Sequence, residues 1–328
     1  MKHLLTVNGL GSPLLRIFGC DCDRCNDPVR QANTSVSLIS LDEAGETAHH
    51  ILFDVGAGVA DSLFVSPYMA GDRARLDWLV LTHWHPDHVN NLNRLLASHY
   101  WNQKLRGLEQ TAVSAYCRTG TAEWLEAEHP YEWDRFIEPH LSDENNPPGT
   151  VLPPVPIPLE GVTITPVTVS HFGADRCAAD HAQTCYSCAA YVIETVTSTA
   201  LSASVSKTVL LWDIDTENEW LVNPQTDEEK TAVSLLSNAD TLFIDTTYWH
   251  KPTRRMTHPG FQNVRRYARS LTPRHTLLTH LSGHPDMRGN AGWGWTDNRW
   301  QAEAQKVWAA EKLPGTVAVP AIGDEFEL

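Results

Sequence analysis

Basic residues are in short supply in this chain. Its 328 residues include 25 Lys and Arg against 40 Asp and Glu, a formal net charge of -15. Binding to nucleic acid depends on Lys and Arg neutralising phosphates, so no nucleic-acid partner is expected. No basic stripe compensates. The stretch Lys251 to Arg266 holds Arg254, Arg255, Arg265 and Arg266, enough for one or two phosphates and otherwise a half-solvated helix face. Long apolar runs are also missing: no stretch reaches 18 residues, and Asn8 and Gly9 interrupt the amino end before a signal-length run accumulates. The expectation is a soluble, cytoplasmic protein with no membrane partner. Cysteine is sparse, uneven in number at seven, and clustered, a pattern that fits ligands in a reducing compartment better than a disulfide framework.

What is present suffices for a large core. At 42% hydrophobic content, the chain can fold as a single domain over 1–328, and its strand-then-helix pattern points to a layered α/β fold. Strands are expected at 3–8, 35–40, 50–54, 76–82, 162–169, 190–195, 207–212, 241–246, 275–279 and 316–320, and helices at 88–98, 228–238, 260–270 and 299–312. The stretch 99–158 is read as irregular, with a helix near 120–128 and a proline-rich end. It serves either as a lid or dimer surface or as an insertion packed on the body, and homodimerisation stays an open alternative.

The strongest signal is His83-Trp84-His85-Pro86-Asp87-His88, directly after the apolar run Leu76 to Thr82. Three imidazoles and a carboxylate in six residues would desolvate and repel one another unless they shared a cation. Nitrogen and carboxylate donors suit zinc, with manganese or iron as alternatives, and do not form the all-oxygen shell of calcium or magnesium. Residues i and i+2 can converge on one ion while i+4 and i+5 point at a neighbouring position. Two ions imply hydrolysis.

This H-x-H-x-D-H run resembles the signature of the metallo-beta-lactamase superfamily, which implies an αββα four-layer sandwich. The resemblance extends through the chain. Asp54, in Asp54-Val55-Gly56, is similar to the carboxylate that braces the metal loop. His171, after Val162 to Val169, corresponds to the third histidine of the first metal, Asp213 to the carboxylate bridging both, and His280 to the last histidine of the second. The implied sets are His83, His85 and His171 for one ion, Asp87, His88 and His280 for the other, and Asp213 for both. Taken singly, Asp54 and Asp213 also read as turn caps, and His171 and His280 as loop histidines.

A second cluster, Cys20-Asp21-Cys22-Asp23-Arg24-Cys25, supplies three thiols that need a fourth ligand to close a tetrahedron, and His284 is the candidate. A closed site has no open position, so its zinc is structural. This combination resembles the PhnP-type cyclic-phosphate phosphodiesterase branch, although one extra residue separates His280 from His284. A PqqB-like branch shares the cysteines but usually has a degraded active-site motif, whereas here every catalytic ligand is present. A third grouping, Cys177, His181, Cys185 and Cys188, reads either as a further zinc site or as a loop with free thiols.

The resemblance implies hydrolysis of a small anionic phosphodiester, cyclic or open-chain, with a shared water as nucleophile on two divalent ions and Asp87 among the catalytic residues. His258, in Thr257-His258-Pro259, is the candidate acid for the leaving alkoxide, with a helix cap as its plain alternative and His250 as the weaker choice. Transfer-RNA maturation is disfavoured by charge and by the lack of a glycine-rich arm. Two rivals stay open: a lactonase or thioesterase on the same metals, and a non-catalytic ligand sensor.

Overall fold

Alternation of apolar side chains along each strand accounts for the architecture. The computed structural model describes residues 1–142, 145–198, 203–250, 257–284 and 288–328. The first sheet contains β1 (Lys2–Gly9), β2 (Ser35–Leu41), β3 (Thr47–Phe53), β4 (Trp78–Val80), β5 (Val113–Arg118) and β6 (Ile137–Ser142). The second contains β7 (Val162–Thr168), β8 (Ala189–Ser198), β9 (Ala203–Leu211), β10 (Thr241–Asp245), β11 (His275–Thr279) and β12 (Thr316–Ala318), and β13 (Glu325–Glu327) returns to the first. The strand orders are β13-β1-β2-β3-β4-β5-β6 and β12-β11-β10-β9-β8-β7.

Because successive side chains face opposite sides of a sheet, each strand feeds two cores. Ile51 and Phe53 of β3, Leu210 of β9 and Phe243 of β10 meet between the sheets. Leu52 instead faces an outer layer built from α2 (Val59–Phe64), α4 (Leu92–Leu105) and α5 (Thr119–Glu128) through Leu63, Leu95 and Leu125. Val209, Leu211, Leu242 and Ile244 face the opposite outer layer of α7 (Asp227–Leu236), α8 (Phe261–Leu271) and α9 (Asp297–Glu311). In α8 the spacing Val264, Tyr267, Ala268, Leu271 puts one apolar stripe on the sheet. Three apolar clusters between four layers give the αββα sandwich. No helix among the described residues is long and apolar enough to cross a membrane.

The stretch 99–158 is ordered differently from the expectation. After α4 it supplies β5, α5, α6 (Pro130–Phe136) and β6, and so extends the first sheet by two parallel strands. Pro139 would be out of place in a central strand, but β6 lies at the sheet edge, where proline is tolerated. Val151 to Val155 then bonds back to β7, with Leu152 N donating to Pro166 O.

Parallel pairing sets the level of the site. Phe53 pairs with Val80 across β3 and β4, Leu211 with Ile244 across β9 and β10, and Asp245 with Thr279 across β10 and β11. The residues that follow these carboxyl ends therefore emerge side by side, where open α/β sheets place their chemistry.

Candidate metal centre

Every residue of the sequence-derived dinuclear set arrives at that shared edge. Asp54 follows β3, Asp213 follows β9 and His280 follows β11, with φ values of 58°, 56° and 54°. His258 shares this left-handed backbone at φ 54°. Non-glycine residues pay about 1–3 kcal/mol for such a conformation, so it persists only where the surroundings impose it. At Asp54, Asp213 and His280 it turns the chain sharply where it leaves the strand.

The histidine run crosses from β4 into α3 (Pro86–Val89), with Pro86 at the first helical position, where its lost N–H has no partner to miss. Val55 N donates to His88 O at 2.7 Å, which seats this loop on the Asp54 turn. Gly56 is required there: a Cβ would lie 1.7 Å from Asp87 O. The Asp54 carboxylate accepts from His88 Nδ1 at 2.7 Å, Thr82 N at 2.8 Å, Thr82 Oγ1 at 2.7 Å and Trp212 Nε1 at 2.9 Å. It thereby orients His88 and anchors the loop, as a brace should.

Two pockets of donors share Asp213. His83, His85, His171 and Asp213 bring ligand atoms within 4.8 Å of one another, and so do Asp87, His88, Asp213 and His280. Asp213 Oδ2 lies 3.0 Å from His83 Nε2 and 2.8 Å from His88 Nε2, and Oδ1 lies 3.3 Å from His171 Nε2. His280 Nε2 is 3.2 Å from Asp87 Oδ2. His83 Nε2, His88 Nε2 and Asp213 Oδ1 are buried without a hydrogen-bond partner. Orphaned donors of this kind, converging on one carboxylate, are what a pair of bound cations would satisfy.

The electrostatics agree. Burial pushes His83 and His171 down and His85 to about 3, keeping these rings neutral and able to bind a metal. Burial alone would raise Asp87 and Asp213, but neighbouring imidazoles, His88 for Asp87 and His171 for Asp213, hold both well below the usual carboxylate range.

His258 stands beside this set. Its Nδ1 is 3.0 Å from both Asp213 Oδ1 and Asp245 Oδ2, and its ring stacks on His280 at 4.8 Å. Burial would lower its pKa, yet the Asp213 and Asp245 carboxylates raise it well above the ordinary imidazole value. His250 is exposed, and its ring meets Trp249. Arg254 and Arg255 lie outside the described residues.

The thiol cluster also closes. His284 Nε2 lies 3.5, 3.4 and 3.3 Å from the sulfurs of Cys20, Cys22 and Cys25, so the longer spacing after His280 still delivers the imidazole. Gly294, at φ 65°, leaves room for Cys22, whose Cβ would otherwise sit 2.6 Å from an added methyl. Arg24 is buried between the cysteines and bonds Asp297 at 2.6 Å. The amino-terminal loop, with α1 (Asp23–Asn26), is thus tied to the start of α9.

The third grouping is corrected. Cys177 and Cys185 form a disulfide, Cys188 is buried apart from them as a free thiol, and His181 packs on Trp124. A zinc site there would need the sulfurs that the disulfide consumes.

Sequence reading missed Asp245, Thr82, Thr247 and Trp212, which hold the ligands. Asp245 had a signal: like Asp54 and Asp213 it ends an apolar strand with a carboxylate. Its oxygen Oδ1 accepts from Thr247 N at 3.0 Å and Thr247 Oγ1 at 2.9 Å, and that hydroxyl contacts His280 Nδ1 at 2.9 Å.

Residues 49–209 match the family of the beta-lactamase superfamily domain. No curated protein sequence matches the chain. Among solved structures, it resembles the metallo-beta-lactamase fold protein YhfI from Bacillus subtilis, with a TM-score of 0.61 and 17% identity over 100% of both chains. A diphosphatase from the PhnP family gives a TM-score of 0.63 and 21% identity, covering 100% of this chain and 98% of that one. Zn2+-bound PqqB from Methylobacterium extorquens gives 0.66 and 13%, covering 99% and 100%. Identities this low establish a common fold. Residues 49–209 thus match a beta-lactamase superfamily domain, and the chain has the fold of metallo-beta-lactamase fold proteins.

Proposed function

We propose that the protein is a dinuclear metal-dependent hydrolase acting on a small anionic phosphodiester. The observation that carries this reading is the undegraded ligand set: seven side chains on two donor groups, sharing Asp213 and holding orphaned buried atoms. The fold shared with a PhnP-family diphosphatase supports phosphorus chemistry.

His83, His85 and His171 would hold one ion, Asp87, His88 and His280 the other, and Asp213 both; zinc is the favoured metal, with manganese as alternative. Two divalent ions held there would supply an acidified water, orientation of phosphate oxygens and relief of charge in an in-line displacement. Asp54 fixes the ring of His88 from behind. His258, its pKa raised by the Asp213 and Asp245 carboxylates, has Nδ1 hydrogen-bonded to Asp245 Oδ2 at 3.0 Å, which leaves Nε2 to donate a proton to the leaving alkoxide oxygen. The thiols of Cys20, Cys22 and Cys25 with His284 would take a structural zinc.

Metal analysis of purified protein should find two ions at the buried centre and one at the thiol site. A panel of phosphodiesters, acyl-homoserine lactones and glutathione thioesters should show turnover of the phosphodiesters, abolished in Asp87→Ala. Preferential turnover of a lactone or thioester would replace the substrate class, and no turnover in fully loaded protein would make the centre a sensor.

A further inference from the structure

The buried ligand histidines are not all oriented in the same way. His83, His88 and His280 each turn Nδ1 onto a neighbouring side chain, Thr82 Oγ1 at 3.1 Å, Asp54 at 2.7 Å and Thr247 Oγ1 at 2.9 Å. His171 does not. Its Nε2 faces Asp213 and His85, and its Nδ1 is buried with no partner. A metal-bound imidazole normally has its other nitrogen held, because that contact sets the ring's direction. His171 must be held through its backbone.

The backbone around it is fully engaged. Ser170 N donates to Asn218 Oδ1 at 2.9 Å, and Ser170 O accepts from Asp215 N at 3.1 Å and Asn218 Nδ2 at 2.8 Å. His171 N donates to Asp175 Oδ2 at 3.0 Å. Asp215 Oδ2 takes both Phe172 N and Ser170 Oγ at 2.9 Å. Its other oxygen takes Glu217 N at 2.8 Å and Asn218 Nδ2 at 3.2 Å. Asp215 lies two residues beyond Asp213, so the turn that carries the bridging carboxylate also grips the turn that carries His171.

We infer that Asp215 is the positioning residue of the first metal site, locking the His171 turn to the Asp213 turn through Ser170 and Phe172. The inference rests on reading His171 and Asp213 as ligands. It requires a carboxylate: four donors reach two oxygens, and an amide would present an N–H to one of the two donor pairs. The second site shares Asp213, but its histidines have their own side-chain partners, so it depends less on this lock.

The test is zinc affinity, measured by competition with a chromophoric chelator on the full-length protein, with and without Asp87→Ala to disable the second site. Asp215→Asn should weaken the first-site ion about 10–100-fold on both backgrounds, the second-site ion by less where that site is intact, and the thiol-site ion not at all. Ser170→Ala removes one donor without altering buried charge, and should shift the same constant in the same direction by less. It also decides the matter if Asp215→Asn does not fold. Unchanged first-site affinity in the folded variants, with or without a loss of thermal stability, would overturn the inference while leaving the dinuclear reading intact. A parent protein that binds no ion at this centre would overturn both.

Discussion

Asp54 offers the sharpest test of how the centre is held. Its side chain is fully buried and receives four hydrogen bonds, three of them on Oδ2 from Thr82 Oγ1, His88 Nδ1 and Trp212 Nε1. Asparagine fits the same volume and tolerates the left-handed backbone. Its amide oxygen can keep the three Oδ2 partners, but its NH2 then faces Thr82 N, stranding one buried donor at a cost of about 1–3 kcal/mol. Alanine strands Thr82 N and Trp212 Nε1 together, at about 1–3 kcal/mol each. The sum, about 2–6 kcal/mol, is a large share of the whole stability of an ordinary domain. Urea unfolding of the zinc-free proteins at pH 7 should therefore rank parent, Asp54→Asn and Asp54→Ala in that order. Loss of the charge behind His88 should also weaken second-site zinc on the order of 10–100-fold in Asp54→Asn. Two variants that each lose under about 1 kcal/mol, against the cost expected for a stranded buried donor, would show that Asp54 does not brace the loop.

Cys22→Ser should lower the melting temperature by on the order of 5 °C or more and remove one ion per chain, because a closed thiolate site contributes folding energy; an unchanged melting temperature would contradict the structural role. His258→Ala should cost on the order of 10²-fold with an alkyl or ribosyl phosphodiester and much less with bis(4-nitrophenyl) phosphate, whose phenolate leaves unaided. Equal losses on both would point to support of the ligands instead. Burial pushes His50 down to about 4, with Nδ1 on Arg75 O and Nε2 on Ser37 Oγ, both at 2.8 Å. The unfolded chain takes up this proton near the ordinary value of about 6.5, so stability present above that pH is lost as pH falls toward 4. The total is about 3 kcal/mol, and His50→Gln should flatten the stability profile in that window by that amount; parallel profiles would refute it.

Much of the centre was legible because its ligands follow strongly apolar strands. Val209 to Leu211 before Asp213, and Thr276 to Thr279 before His280, announce a turn with a polar residue at its head. The two strands within 99–158 were not legible. Val113-Ser114-Ala115-Tyr116-Cys117-Arg118 is buried on both faces of the first sheet, so it lacks the alternation that marks a half-exposed strand, and β6 contains a proline. The Cys177–Cys185 bridge was hidden for another reason. Spacing alone cannot separate a metal ligand from a disulfide partner, since both demand sulfurs brought together in space. Asp215 and Asn218 act on backbone amides, and residues in that role carry no motif.

The left-handed turns at Asp54, Asp213, His258 and His280 have a kinetic consequence. Asp54 N and His280 N are each hydrogen-bonded within the chain, to Val80 O at 3.1 Å and Thr34 Oγ1 at 3.1 Å, so protein contacts alone can set the directions of these side chains. Emptying the dinuclear centre alone should leave a template there, not a slack loop. Reloading should then proceed in a single bimolecular phase limited by the ion shedding its own water, with no slower refolding step. Such a template can be charged after synthesis from whatever divalent pool surrounds it, and discrimination between metals falls to donor chemistry rather than to the moment of folding.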